Sequence, residues 1–126
     1  MGWNFNDNTP IYLQIMNGLQ REIASGAYPP GSRLASVREL ALEAGVNPNT
    51  MQRALAELER QGLVNSQRTA GRFVTEDTAA LSALRRSMSD SIISDFFRSM
   101  LSLGLSKKEI LSLVQDWIHE HDKEEQ

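Results

Sequence analysis

The chain has 126 residues, no cysteine, 40% hydrophobic and 23% charged content, and a formal net charge of −3. This ordinary globular usage excludes wholesale disorder, and the missing cysteines exclude a disulfide framework or a thiolate metal site and fit a reducing compartment. With no signal-like opening and no apolar run near the roughly 18 residues of a membrane span, the expectation is a cytoplasmic protein of one domain, or of one small domain plus an appendage.

The elements are predicted in chain order. Thr9 and Pro10 read as N-cap and first helical residue, and Ile11, Ile15, Leu19 and Ile23 then repeat every four residues on one helical face, ended by Gly26. Trp3 and Phe5 before it suit a packed N-terminal arm. The prolines of "YPPGS" force a turn, and "RLA" at 33–35 suits a strand stub. Ser36 and Glu39 form a capping box for a second helix, which Gly45 stops near Ala44. Asn47 is a good N-cap and Pro48 a good first residue for a third helix running to about Gln61. Two helices around a glycine-containing turn match helix-turn-helix. "LVNSQRTAGRFV" at 63–74 reads as a hairpin with arginines at its tip and flank, which would make a wing.

The character changes near residue 77, where a boundary is expected: 1–77 as a winged helix-turn-helix domain and 78–126 as a helical region. A helix of about 25 residues, roughly 37 Å long, carries Leu81, Leu84, Met88, Ile92, Phe96, Met100 and Leu103 as one stripe up to Gly104. Ser106 and Glu109 cap a last helix with Ile110, Leu113, Val114, Trp117 and His121 on one face, and "HDKEEQ" reads as a frayed tail. The fold class expected is mainly α with a small β-wing: a winged helix-turn-helix followed by two C-terminal helices.

Charge is distributed unevenly. Residues 1 to 75 hold seven arginines against six acids, and residues 76 to 126 hold six bases against ten acids. On the third helix Met51, Leu55 and Leu58 point one way, and Asn49, Arg53, Ala56 and Arg60 the other, flanked by Thr50 and Gln52. Amides can pair bidentately with adenine and arginine with guanine, and a helix N-terminus favours phosphate. The bland alternative is a well-capped helix with a solvated face. The ordered set of capping box, turn, polar helix end and arginine-tipped hairpin favours DNA.

Over roughly residues 3 to 75 the chain resembles the GntR family of bacterial transcription regulators, in its short YtrA-like branch. The resemblance rests on "PIYLQIMNGLQREIASGAYPPGSRLASVRELALEAGVNPNTMQRALAELERQGLV" and the wing "GRFV". It implies an operator-binding winged helix and a dimerising C-terminal region. Arg38 matches a DNA-contacting arginine, Pro48, Asn49, Gln52 and Arg53 occupy recognition-helix positions, and Gly71 matches the wing glycine that approaches the minor groove. Ala35 stands where the family has proline. Pro48 stands where many branches carry arginine, so base readout is assigned to Asn49, Gln52 and Arg53. The full DNA-binding set is Arg38, Asn47, Pro48, Asn49, Thr50, Gln52, Arg53, Arg68, Gly71 and Arg72. The resemblance also implies repression and control of transporter genes.

Two amphipathic helices must cover their apolar faces, and a second copy would give a four-helix arrangement matched to a pseudo-palindromic operator. Leu84, Met88, Ile92, Phe96, Met100, Ile110, Leu113, Val114 and Trp117 are assigned to that contact; folding back on the winged helix is the alternative. No small-molecule pocket, cofactor or metal is expected. His119 and His121 lie about 200° apart on a helix and cannot chelate together, and no catalytic constellation stands out. The competing functions are a protein-docking module built on the winged helix and small-molecule sensing by the tail.

Overall fold

A computed structural model describes residues 2–122. The element order is α1 (Ile11–Ser25), α2 (Val37–Ala44), α3 (Pro48–Arg60), β1 (Val64–Gln67), β2 (Gly71–Val74), α4 (Thr78–Ser102) and α5 (Lys107–Glu120). Two compact units divide the chain, one through Arg85 and one from Arg86, so the division falls within α4. Among the described residues, no helix is long and apolar enough to cross a membrane.

The first unit is a winged helix-turn-helix. Ile15, Leu19 and Ile23 of α1, Leu40, Ala41 and Ala44 of α2, and Met51, Ala54, Leu55 and Leu58 of α3 form its core with Leu34, Leu63, Val64, Val74 and Leu81. The helical spacing of these residues forces the packing, because one stripe per helix is apolar and each stripe must leave water. Trp3 and Phe5 stack at 5.5 Å and pack against the same core.

α1 starts one residue later than the sequence pattern implies. Pro10 takes the cap position with an extended ψ of 142°, and no side chain caps the helix. Gln14 does the local work instead. Its amide donates to the Asn6 and Thr9 carbonyls, both at 2.9 Å, and accepts from the Asn6 N–H at 3.1 Å. The other helix starts follow their sequence signals. Ser36–Glu39 and Ser106–Glu109 form reciprocal capping boxes, and Asn47 accepts from the Asn49 N–H at 2.8 Å with Pro48 as first helical residue.

β1 and β2 pair antiparallel, Val64 opposite Val74 and Gln67 opposite Gly71. The "RLA" stub contributes a single bridge, Arg33 opposite Phe73. Around it, the Leu34 N–H donates to the Arg72 carbonyl and the Val74 N–H to the Ser32 carbonyl, each at 2.9 Å. The segment before α2 is thereby tied to the wing.

In the second unit α4 ends at Ser102 and Gly104 turns the chain at φ 86°. Leu103 falls in that turn and is 74% exposed. Ile110 is fully buried. His121 closes α5, its ring stacked on Trp117 at 4.2 Å. Residues 123–126 of the expected tail lie outside the described residues.

Core geometry makes a simple stability contrast. Leu55→Ala should cost about 2–5 kcal/mol, because Leu55 is 0% exposed. Leu42→Ala should stay within about 0.5 kcal/mol, because Leu42 is 77% exposed. Urea denaturation followed by circular dichroism checks both.

Candidate nucleic-acid interface

α3 positions the site. Met51, Ala54, Leu55 and Leu58 are all 0% exposed, which fixes the rotation of the helix. At roughly 100° per residue, that rotation turns Asn49, Gln52, Arg53, Ala56 and Arg60 outward, and all five are exposed. Thr50 and Glu57 flank this face on one side and Glu59 on the other, each partly exposed. The Gly45 N–H donates to the Leu42 carbonyl at 3.2 Å with Gly45 in the left-handed region, and the chain restarts at Asn47. A sharp stop followed by a capped start leaves the first turn of α3 end-on to solvent.

The arginines divide into two kinds. Arg60 is held by Glu57, three residues back, its Nε 2.9 Å from Oε2. Arg72 of the wing donates to Glu59 at 2.6 Å, and Ser66 donates to the same oxygen at 2.5 Å. That carboxylate therefore fastens β1 and β2 to α3. Arg38, Arg53 and Arg68 make no ion pair among the described residues; Arg21 on α1 and Arg85 on α4 are likewise unpaired. Unpaired guanidiniums keep all their donors available for phosphate or base edges.

Two clusters gather most of the sequence-assigned residues. In the first, Asn49, Thr50 and Arg53 border a concavity of about 370 Å³ with Ile11 and Tyr12, and the Arg53 guanidinium carbon sits 3.8 Å from the Tyr12 ring centre. In the second, Gly71 and Arg72 border a groove of about 410 Å³ with Arg33, Ser36 and Gln67 among others. Gly71 has φ 108°, and a β-carbon there would lie 2.9 Å from Arg33 Nε. The positive φ favours glycine, and any larger residue would also displace the Arg33 side chain. Arg38 is exposed near the start of α2, Arg68 is exposed at the wing tip, and Asn47 and Pro48 are exposed at the start of α3. Sequence reasoning missed Arg33 and Tyr12. Their partners lie on other elements, and no local pattern encodes those contacts.

The second unit carries an apolar trough of about 730 Å³ bordered by Ile93, Phe96, Phe97, Met100, Leu113, Val114 and Trp117. The expectation that this region offers no pocket is qualified by that volume, which is open to solvent and not enclosed. Ile92, Phe96, Leu113 and Trp117 remain 39% exposed or more. Met88, Met100 and Val114 are partly buried. Leu84 packs against the N-terminal core instead, and Ile110 is interior. Among the described residues no cluster of three His, Cys, Asp or Glu side chains is placed to hold a metal.

Comparison with known proteins gives the following. The family described as bacterial regulatory proteins, gntR family, matches residues 11–74. An uncharacterized HTH-type transcriptional regulator of Bacillus subtilis (strain 168), YhcF, is 37% identical over 111 residues, covering 88% of this chain and 92% of its own. The HTH-type transcriptional repressor YtrA of the same organism is 41% identical over 70 residues; the match spans 56% of this chain and 54% of that repressor. Among solved structures, a GntR family transcriptional regulator from Listeria monocytogenes has 38% identity and a TM-score of 0.81, covering 89% of this chain and 98% of its own. AraR(DBD), solved in complex with operator ORE1, has 29% identity and a TM-score of 0.52, covering 60% of this chain and 89% of its own.

The carboxylate that fastens the wing has a pH signature. Hydrogen bonding from Ser66, then the Arg72 contact, holds the Glu59 carboxyl below its ordinary value. A depressed folded-state pKa adds stability above the unfolded pKa, and that stability disappears as pH falls through the folded value. Between about pH 6 and about pH 3, Glu59→Gln should lose less stability than the parent chain, as read from urea midpoints along the pH series.

Proposed function

Because the chain belongs to the GntR family of bacterial regulatory proteins, as a DNA-binding transcription regulator of the YtrA-like branch, we propose that two copies act together as a repressor on a pseudo-palindromic operator. The observation that carries the DNA-reading face is the division of the arginines. The acids flanking α3 engage Arg60 and Arg72 and leave Arg53 free on the outward face. In this reading Asn49, Gln52 and Arg53 meet base edges in the major groove, with Asn47, Pro48 and Thr50 shaping the first turn. Arg38 and Arg68 contact phosphate. Gly71 lets the wing backbone come close, and Arg72 holds the wing to α3.

The apolar trough supports the homodimer. A face lined by Phe96, Phe97, Leu113 and Trp117 is unfavourable in water, and the same face of a second copy covers it with matching chemistry. Ile92 and Met88 extend that face, Ile110 is interior, and Leu84 packs against the N-terminal core instead. This reading makes the protein a binding protein of the cytoplasm, with no catalytic role. Repression would follow from occlusion of the promoter.

Binding tests separate phosphate contact from base reading. An inverted repeat upstream of the protein's own gene is the first duplex to try. Arg68→Ala should weaken binding to every duplex and lower the salt slope by about one. Gln52→Ala should instead reduce discrimination against altered sites by about 1–3 kcal/mol. A protein-docking role for the winged helix predicts neither salt slope nor sequence preference, so their joint absence in anisotropy titrations rejects the regulator mechanism. For the dimer, Phe96→Glu should halve the mass seen by sedimentation and weaken operator binding at least tenfold, that is by about 1.4 kcal/mol or more. A monomeric parent chain would reject this arrangement.

A further inference from the structure

We propose that Tyr12, on the first turn of α1, is a positioning residue for base recognition: its ring holds the Arg53 guanidinium ready for the edge of a base pair. The inference rests on the reading that the outer face of α3 meets DNA. Most of α1 is structural, with Ile15, Leu19 and Ile23 buried in the core. Tyr12 is half-buried at its open end, where it reaches the flank of α3 and lies 3.8 Å below the Arg53 guanidinium carbon.

The arrangement follows from competition among side chains. Glu57 lies four residues beyond Arg53, the spacing at which a helical ion pair forms. Its carboxylate is already taken by Arg60 and by Gln61, whose amide donates at 3.4 Å. Arg53 makes no hydrogen bond or ion pair among the described residues, so the aromatic face is its protein partner. Stacking uses the flat face of a guanidinium and leaves its N–H edges pointing outward. An arginine already ordered in this way loses less rotamer freedom when a base pair arrives. Asn49 and Thr50 border the same concavity, so the held guanidinium stands beside an amide and a hydroxyl. On the other flank Gln52 is exposed and makes no such contact among the described residues.

The test uses the full chain, an operator duplex selected from a random pool by the parent protein, and a scrambled duplex, compared by anisotropy at one salt concentration. Tyr12→Leu should lower the operator-to-scrambled ratio about two- to fivefold and leave scrambled affinity unchanged. Tyr12→Phe keeps the ring face and should stay within about twofold of the parent. In an Arg53→Ala background Tyr12→Leu should have no further effect on the ratio. If Tyr12→Leu melts below the assay temperature, Tyr12→Gln takes its place with the same expectations. Equal weakening on both duplexes, or an undiminished Tyr12→Leu effect without Arg53, overturns the platform. An Arg53→Ala protein with the parent's ratio also overturns it, while leaving Asn49 and Gln52 as readers. A parent chain that selects no sequence at all overturns the reading of α3 itself, and the platform with it.

Discussion

Burial of one side of α3 is the constraint on which the molecule depends. Met51, Ala54, Leu55 and Leu58 have no exposed surface, and each large aliphatic side chain among them contributes about 1.5–3 kcal/mol by leaving water. Rotating α3 would expose these residues and place Asn49 and Arg53 in the core, so the same packing that stabilises the domain aims its polar face. The Asn47–Pro48 start fixes the remaining freedom, the position along the axis where the helix begins. The proposed DNA-reading role therefore rides on a stability requirement, and damage to the inner face would misdirect the outer one.

Electrostatics refines this aim. A helix face with two arginines and two glutamates on its flanks could collapse into a closed set of ion pairs. It does not, because Glu57 is engaged by Arg60 and Glu59 is engaged by Ser66 and Arg72. The exposed Glu57–Arg60 pair is worth little as stability, and the Glu59–Arg72 pair is only part-buried. Their effect is to decide which cations are already engaged and which are left over. Glu59 gains a second role from its position, since its two partners sit on opposite strands of the hairpin, Ser66 facing Arg72 in the register. The wing is thereby held at the α3 flank by one carboxylate.

The sequence carried the element boundaries and the two faces of α3 because these are local signals. Serine–glutamate boxes, glycine stops and a 3.6-residue period depend only on neighbours along the chain. α1 starts one residue beyond the cap that Thr9 and Pro10 imply, because these have the right types but Gln14 does the work of holding the arm. The stripe on α4 is wider than its period alone implies, since Ile93 and Phe97 fall between the expected Ile92, Phe96 and Met100. Tyr12 beneath Arg53 and Arg33 against Gly71 were invisible for a different reason. Each joins residues about 40 positions apart, and only the packed fold brings them together.

The small number of free cations around α3 and the wing bears on the role proposed for the apolar face of the C-terminal unit. Arg38, Arg53 and Arg68, with Arg33 beside the wing glycine, are the natural candidates for phosphate or base in one copy, and the chain as a whole is acidic at −3. With Arg53 given to base edges, neutralising about three phosphates gives a salt slope of only roughly −2.7, because each contributes about −0.9. At physiological salt so few contacts favour weak binding that long stretches of genomic DNA would compete for. In the proposed dimer, two copies joined through the trough on α4 and α5 would double both the released counterions and the number of bases read. They also impose a fixed spacing that random sequence seldom meets. In the proposed dimer the long α4 would be part of the recognition machinery: the winged helix supplies few contacts alone, and the apolar trough would supply the second copy that adds to them.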